Sequence, residues 1–154
     1  MESQRILIDN RHEEMLPTRP LLQKTEQILS ALGYDTHELS LVIMNDAGIR
    51  ELNSTYRGKD SATNVLSFSM QEGEFGDITP DLLGDVVISV ETAQREADEA
   101  GITLAERMSQ LLVHGILHLV GFDHERGESE AGAMEAKSLE LLRQIEQNTQ
   151  LDAF

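Results

Sequence analysis

Residues 111–120 constrain the fold most, because this segment is apolar on nearly every side and yet carries two histidines. His114 and His118 interrupt a run of leucine, isoleucine and valine. Each buried imidazole needs a partner for its polar atoms. Residues four apart lie on the same face of a helix, so both rings can serve one shared partner. The pattern predicts a buried helix over residues 104–120 that displays two nitrogen ligands on one face.

A glycine and a third histidine extend this pattern to H-x-x-x-H-x-x-G-x-x-H over residues 114–124. Gly121 falls where helices commonly end in a left-handed conformation, so the reversed chain can bring His124 back to the first two rings. Imidazole nitrogens bind zinc at about 2.0 Å, and a site with three protein ligands keeps a fourth position for water, as catalytic zinc sites do. The sequence therefore predicts one zinc ion per chain, bound by His114, His118 and His124.

Gly115 separates this chain from the zinc peptidases whose signature is H-E-x-x-H-x-x-G-x-x-H. Those enzymes carry, where Gly115 stands, a glutamate that serves as general base for the zinc-bound water. A glycine inside a helix costs about 1 kcal/mol relative to alanine, so we expect a close contact there. A strand, a substrate or a neighbouring helix could make that contact. The ligand spacing is kept, and the peptidase base is absent.

Three blocks of sequence resemble the YbeY family of bacterial ribosomal RNA maturation factors, which are single-strand-specific endoribonucleases. The first is the histidine run itself. Residues 52–68 resemble the family's L-N-x-x-Y-R-x-K-D-x-x-T-N-V-L-S-F block, and residues 83–89 resemble its L-G-D-[IV]-x-I-S strand. Phe122 stands where tyrosine is common, and Ser69 where proline is common, but neither is a proposed ligand. The resemblance implies a zinc-dependent endoribonuclease that acts in ribosomal RNA maturation and ribosome quality control.

Arg57 is the candidate catalytic residue. The matching arginine belongs to the catalytic site of the family, so the resemblance implies the same role here. A guanidinium can clamp a phosphate through two parallel hydrogen bonds and stays charged at any working pH. A surface salt bridge is the alternative. Lys59, Asp60, Thr63 and Asn64 either line the cleft or cap the turn into the next strand, and we assign them no catalytic role.

Two aspartates are candidates for orienting the metal ligands. Asp85 lies in a segment otherwise rich in valine and isoleucine. It either accepts a hydrogen bond from a ligand imidazole or is a strand-edge residue exposed to water. Asp123 precedes His124 and could orient it, although turn chemistry explains Asp123 equally well.

The charge of the chain opposes the substrate that the resemblance implies. The sequence has 28 acidic and 12 basic side chains, a net charge of −16, whereas nucleic-acid-binding proteins usually show a basic surface. We therefore expect weak non-specific RNA affinity, confined to a local patch that contains Arg57, Lys59 and the zinc. The acidity serves solubility or a basic protein partner such as a ribosomal or ribosome-associated protein. Because cysteine is absent, any metal must be bound by His, Asp or Glu.

The remaining features predict a soluble cytoplasmic protein. Residues 1–6 do not resemble a signal peptide. No apolar stretch approaches the roughly 20 residues of a membrane-spanning helix, so we expect no membrane association.

Hydrophobic periodicity predicts one α+β domain over residues 1–154, with a four-stranded mixed sheet and about five helices. The predicted metal helix packs on the sheet, with its C-terminal end at the cleft. We expect strands at residues 5–9, 38–44, 64–68 and 85–90, and a mobile loop at 71–82. Helices are expected at residues 20–32, 47–56, 91–100 and 104–120, with a last helix from Ser129.

Three functions stay open on these grounds. The first is a zinc-dependent endoribonuclease acting on single-stranded RNA, above all ribosomal RNA. The second is a zinc hydrolase of another bond, such as a peptide or amide, which the ligand spacing favours and Gly115 disfavours. The third is a non-catalytic ribosome-assembly factor with structural zinc, which the net acidity favours and the set of only three evident ligands disfavours.

Overall fold

Strands and helices alternate over the first part of the chain, and two consecutive strands followed by three consecutive helices complete the described order. The computed structural model describes residues 5–70, 81–122 and 127–153. The strands within these ranges are β1 (Ile6–Asn10), β2 (Glu38–Met44), β3 (Val65–Ser69) and β4 (Leu82–Ser89). The helices are α1 (Thr18–Ala31), α2 (Asp46–Arg57), α3 (Val90–Ala100), α4 (Leu104–Leu119) and α5 (Glu128–Ile145).

The four strands form one mixed sheet in the order β1-β2-β4-β3. Strand β2 runs parallel to both β1 and β4, whereas β3 runs antiparallel to β4. The predicted α+β class and four-stranded mixed sheet are thus confirmed. Among the described strands, this order places β3 at one edge of the sheet.

The sheet separates the helices into two layers, because successive side chains of a strand point to opposite faces. Leu41, Val86 and Ile88 point to the face that carries the main core, together with helices α1, α4 and α5. Val87 and Leu66 point to the other face, where they pack with Ile49 of α2. Each face of β3 is therefore covered by a different helix.

Helix α4 lies in the middle of the main core, as predicted. Ten of its sixteen residues are buried, which explains why its sequence is apolar on nearly every side. A capping box fixes its start, since the Thr103 hydroxyl accepts a hydrogen bond from the Glu106 N–H and the Glu106 carboxylate accepts one from the Thr103 N–H. No helix in the described part of the chain is long and apolar enough to cross a membrane.

Two elements begin at least two residues away from their predicted starts, whereas the other boundaries agree to within one residue. Helix α1 begins at Thr18, two residues early, because the Glu13 carboxylate accepts hydrogen bonds from the backbone N–H and the hydroxyl of Thr18. Strand β4 begins at Leu82, inside the predicted loop, whose residues 71–80 lie outside the described ranges. A side chain on Gly84 would place its Cβ 2.1 Å from the Phe68 carbonyl oxygen, so this glycine permits close pairing with β3.

Gly115 is the point where α4 approaches the sheet closely. A Cβ added there would lie 2.8 Å from Val86 Cγ1 and 3.2 Å from Val65 Cγ2. The Ser67 hydroxyl donates a 2.9 Å hydrogen bond to the Gly115 carbonyl oxygen. The close contact expected at Gly115 is therefore made by strands of the sheet.

We expect Gly115→Ala to lower the free energy of unfolding by about 1 kcal/mol. Overpacking typically costs about 1–3 kcal/mol, which exceeds the gain of about 1 kcal/mol from replacing a helical glycine. Gly132→Ala in α5 is the matched control, because Gly132 is exposed and has open space around it. That control should gain up to about 1 kcal/mol. Urea denaturation measures both variants, and equal stabilisation by the two would contradict a tight contact at Gly115.

Candidate active site

His114 and His118 lie one turn apart on the same face of α4. Their ring centroids are 4.6 Å apart, with an angle of 72° between the ring planes. Both residues are half-buried, while Val113, Ile116 and Leu117 around them are fully buried. The apolar positions thus anchor the helix and leave the two imidazoles at the boundary between core and solvent.

The end of α4 follows the prediction closely. The helix ends at Leu119, and Gly121 has a φ of 104°. Residues other than glycine rarely adopt this backbone conformation. The chain therefore turns just beyond the second histidine. Asp123 and His124 lie outside the described residues.

Two nitrogen donors on one helix face fit a metal ion that prefers imidazole. Within residues 5–70, 81–122 and 127–153 there is no group of three His, Asp or Glu side chains that could hold a metal. The third predicted ligand, His124, is not among those residues. The zinc site with His114, His118 and His124 therefore stays a prediction.

Asp85 does not orient either of the described candidate ligands, His114 and His118. Its partner across the antiparallel pair is Phe68, and paired residues share a sheet face. Val86, the next residue, faces Gly115 of α4, so Asp85 points to the opposite face. It is half-buried in a strand with neighbours on both sides, so the alternative of an exposed strand-edge residue is wrong.

Arg57 is the last residue of α2, on the other side of the sheet from α4. The helix ends there because Gly58 adopts a left-handed conformation with a φ of 69°. The side chains of Arg57 and Lys59 are exposed, and neither has a carboxylate partner among the residues described. The predicted alternative for Arg57, a surface salt bridge, is therefore not observed.

The residues after Arg57 shape the turn into β3. Asp60 accepts hydrogen bonds of 2.8 and 3.1 Å from the Arg50 guanidinium, and this partner holds the pKa of the Asp60 carboxyl below its ordinary value. The Asn64 side chain accepts a hydrogen bond from the Val65 N–H and donates to Glu96 of α3. Asp60 and Asn64 thus stabilise the turn into β3, which is one of the two roles that the sequence left open.

Helix α2 is also held at its first residue. The Asp46 carboxylate accepts 2.6 Å hydrogen bonds from the hydroxyls of Ser89 and Thr92. It also forms an ion pair with the Arg95 guanidinium. Partial burial raises the pKa of Asp46, but these contacts outweigh it and leave the pKa below its ordinary value. The helix that carries Arg57 is thereby fixed to β4 and α3.

Sequence reasoning missed the polar network between α3 and α4. The guanidinium of Arg107 donates to Glu96 at 3.0 and 3.1 Å and to Gln110 at 2.7 Å. Glu96 in turn accepts from Asn64, so α4 is tied to the start of β3. The polar composition of α3 concealed this role, because a charged helix face is usually solvated.

It also missed the contact between Tyr56 and Phe68. Their ring centroids are 5.6 Å apart in an edge-to-face arrangement. Alternation along β3 was the available signal, since Ser67 and Phe68 must face opposite sides of the sheet. Ser67 contacts α4 and Phe68 contacts the end of α2, so consecutive residues of one edge strand connect the two candidate catalytic elements.

Comparison with known sequences identifies the family. The sequence model described as endoribonuclease YbeY matches residues 7–146, which is most of the chain. The chain belongs to the YbeY endoribonuclease family. The predicted family membership is confirmed, and with it the prediction of a hydrolase.

Relatives named endoribonuclease YbeY match almost the whole sequence. The protein of Geobacter sulfurreducens is 54% identical over 144 residues, covering 92% of this chain and 96% of the relative. That of Geobacter metallireducens is 52% identical with the same coverage of 92% and 96%. The solution structure of TM1509 from Thermotoga maritima superposes with a TM-score of 0.65 at 26% identity, covering 92% of this chain and 87% of that one. The similarity to these proteins thus covers nearly all of the α+β domain.

We expect one zinc ion per chain in the purified protein, with severe loss in each of His114→Ala, His118→Ala and His124→Ala. Each substitution removes one of three nitrogen donors and leaves the remaining two unable to complete the site. Elemental analysis after dialysis against a chelator measures the zinc content. His12→Ala is the control, because His12 lies in the turn before α1 and should keep full zinc. Stoichiometric zinc in all three ligand variants would contradict the assignment.

Proposed function

We propose that this chain is a zinc-dependent, single-strand-specific endoribonuclease that acts in ribosomal RNA maturation and ribosome quality control. Membership in the YbeY family supports RNA hydrolysis. The position of the candidate groups on both faces of edge strand β3 supports a site at that edge. Cytoplasmic location stays a prediction.

His114, His118 and His124 would hold the zinc ion. When bound, zinc polarises a phosphoryl oxygen and lowers the pKa of a coordinated water. The two described histidines suit this role because their backbone is rigid. The capping box and the buried side chains of α4 fix the helix, and the Ser67 hydrogen bond fixes its distance from β3.

Arg57 would bind the phosphate that is cleaved. Its exposed guanidinium is not engaged by a carboxylate within the described part of the chain, so its N–H groups can donate to phosphoryl oxygens. Two parallel hydrogen bonds give such a contact both charge and direction. A fixed positive group stabilises the negative charge that develops in the transition state.

The edge position of β3 is the observation that carries the proposal. Ser67 contacts the helix of the two histidines, and Phe68 contacts the residue next to Arg57. A flexible strand that crosses this edge can approach both elements. Duplex RNA holds its backbone in the A-form, and a small acidic domain offers few contacts to keep it there.

Peptide hydrolysis is disfavoured by the packing of Gly115. A glutamate at this position would have to occupy the space of Val86 and Val65, so the base of the zinc peptidases has no room on α4. The net charge of −16 instead favours a basic partner. We include a ribosomal or ribosome-associated protein as the proposed protein partner.

Arg57→Ala should lower RNA cleavage by about 100-fold to 1000-fold, since loss of one transition-state donor typically has that effect. Zinc content and the free energy of unfolding should change little, because Arg57 is exposed. Arg57→Lys should restore little activity, as lysine lacks the planar fork. Arg50→Ala is the matched control on the same helix and should stay active. Full activity of Arg57→Ala in single-turnover assays would exclude a catalytic role.

The substrate class is tested with single-stranded RNA, the matching duplex and casein at equal enzyme concentration. We expect cleavage of the single strand alone, its abolition by a chelator, and its recovery when zinc is added back. Binding should depend only weakly on salt, because few phosphate contacts release few counterions. Chelator-sensitive casein cleavage without RNA cleavage would instead establish the peptide hydrolase, and zinc without any cleavage would favour the assembly factor.

A further inference from the structure

Tyr56 is an exposed aromatic residue in a chain that has few of them. The sequence has four phenylalanines, two tyrosines and no tryptophan. Tyr56 is 68% exposed, although its side chain is large and mostly apolar. An exposed aromatic ring of this kind offers a surface to a ligand with a flat apolar face.

Contacts on one side hold the Tyr56 ring in place. It meets Phe68 edge to face, and Phe68 packs against the cluster of Ile49, Leu66 and Val87. The left-handed Gly58 ends α2 two residues later. The ring is therefore supported by the sheet on one side and open to solvent on the other.

The neighbours of Tyr56 supply positive charge. Arg57 and Lys59 are exposed, with no carboxylate partner in the part of the chain that the structure describes. By contrast, Arg50 on the same helix is paired with Asp60, and Arg95 is paired with Asp46. A flat apolar ring with two available cations within three residues along the chain suits a nucleotide, since the ring can stack on the base while the cations bind the phosphates.

We propose that Tyr56 is a nucleobase-stacking subsite that receives an unpaired base next to the phosphate held by Arg57. This inference rests on the proposed function and adds a specificity determinant to it. A base inside a duplex stacks on its neighbours and cannot lie on the ring, so Tyr56 selects single strands. Phe68 and Ser67 face opposite sides of β3, so the stacked base lies across the edge strand from the two histidines of α4.

Fluorescence tests the stacking directly. The variant Tyr34→Phe leaves Tyr56 as the sole tyrosine in a chain without tryptophan, and phenylalanine keeps the ring that packs on His37. Stopped-flow mixing with single-stranded oligoadenylate should quench this fluorescence before cleavage begins. The same oligonucleotide annealed to oligouridylate, and an abasic oligonucleotide of equal length, should not quench it.

Kinetics distinguish stacking from a structural role. Tyr56→Ala should raise the KM for single-stranded RNA about 10-fold, a change within the range that base stacking contributes, with kcat nearly unchanged. Tyr56→Phe should retain the wild-type KM. Tyr56→Leu should resemble alanine, because leucine restores apolar packing on Phe68 without an aromatic face. Recovery of the KM by leucine would assign Tyr56 a packing role and overturn the proposal.

The outcomes separate this inference from the proposed function. If the wild-type protein cleaves single strands and Tyr56→Ala keeps the wild-type KM, the stacking site is wrong and the endoribonuclease assignment stands. If the wild-type protein cleaves no RNA, the proposed function is wrong, while base-dependent quenching would still support the binding site. Quenching by duplex and abasic strands alike would overturn the stacking site.

Discussion

The close contact between α4 and the sheet at Gly115 is the constraint on which the rest of the structure depends. Because this residue has no side chain, Val65 and Val86 reach the helix backbone, and Ser67 binds its carbonyl group. Interiors pack densely and transmit displacement, so the position of this contact sets the position of both histidines. The same contact removes the space that a peptidase glutamate would need.

Edge strand β3 contacts both elements that carry the candidate site residues. Its alternating side chains face α4 through Ser67 and the end of α2 through Phe68. Helix α2 is held at its start by Asp46 and supported near its end by Phe68. Arg57 therefore lies on an element whose position is fixed relative to the same strand that fixes α4. Arg57 and the two histidines of α4 therefore reach the surface without any rearrangement of the sheet.

The sequence predicted features that depend on one segment and missed those that depend on two. The apolar run around His114 and His118 predicted the position of α4, because burial and helical spacing are local signals. The sheet face on which Asp85 lies could not be predicted, since a strand's period shows alternation and not which face meets which helix. The close pairing of Gly84 with β3 was also missed, because it involves two separate strands. The ion pair between Glu96 and Arg107 joins separate helices, and no local pattern reveals it.

The acidic charge and the proposed RNA substrate are compatible because the positive groups are not equivalent. Two described cations are largely buried in contacts between helices: Lys24 binds Glu146 and Ser109, and Arg107 binds Glu96. Such paired groups add little to the electrostatic field at the protein surface. Arg57 and Lys59, which follow Tyr56 in the chain, keep their positive charge available to a ligand. An acidic surface around a small basic spot weakens non-specific attraction to phosphate. Affinity then depends on contacts with the bases, which only an unpaired strand can offer.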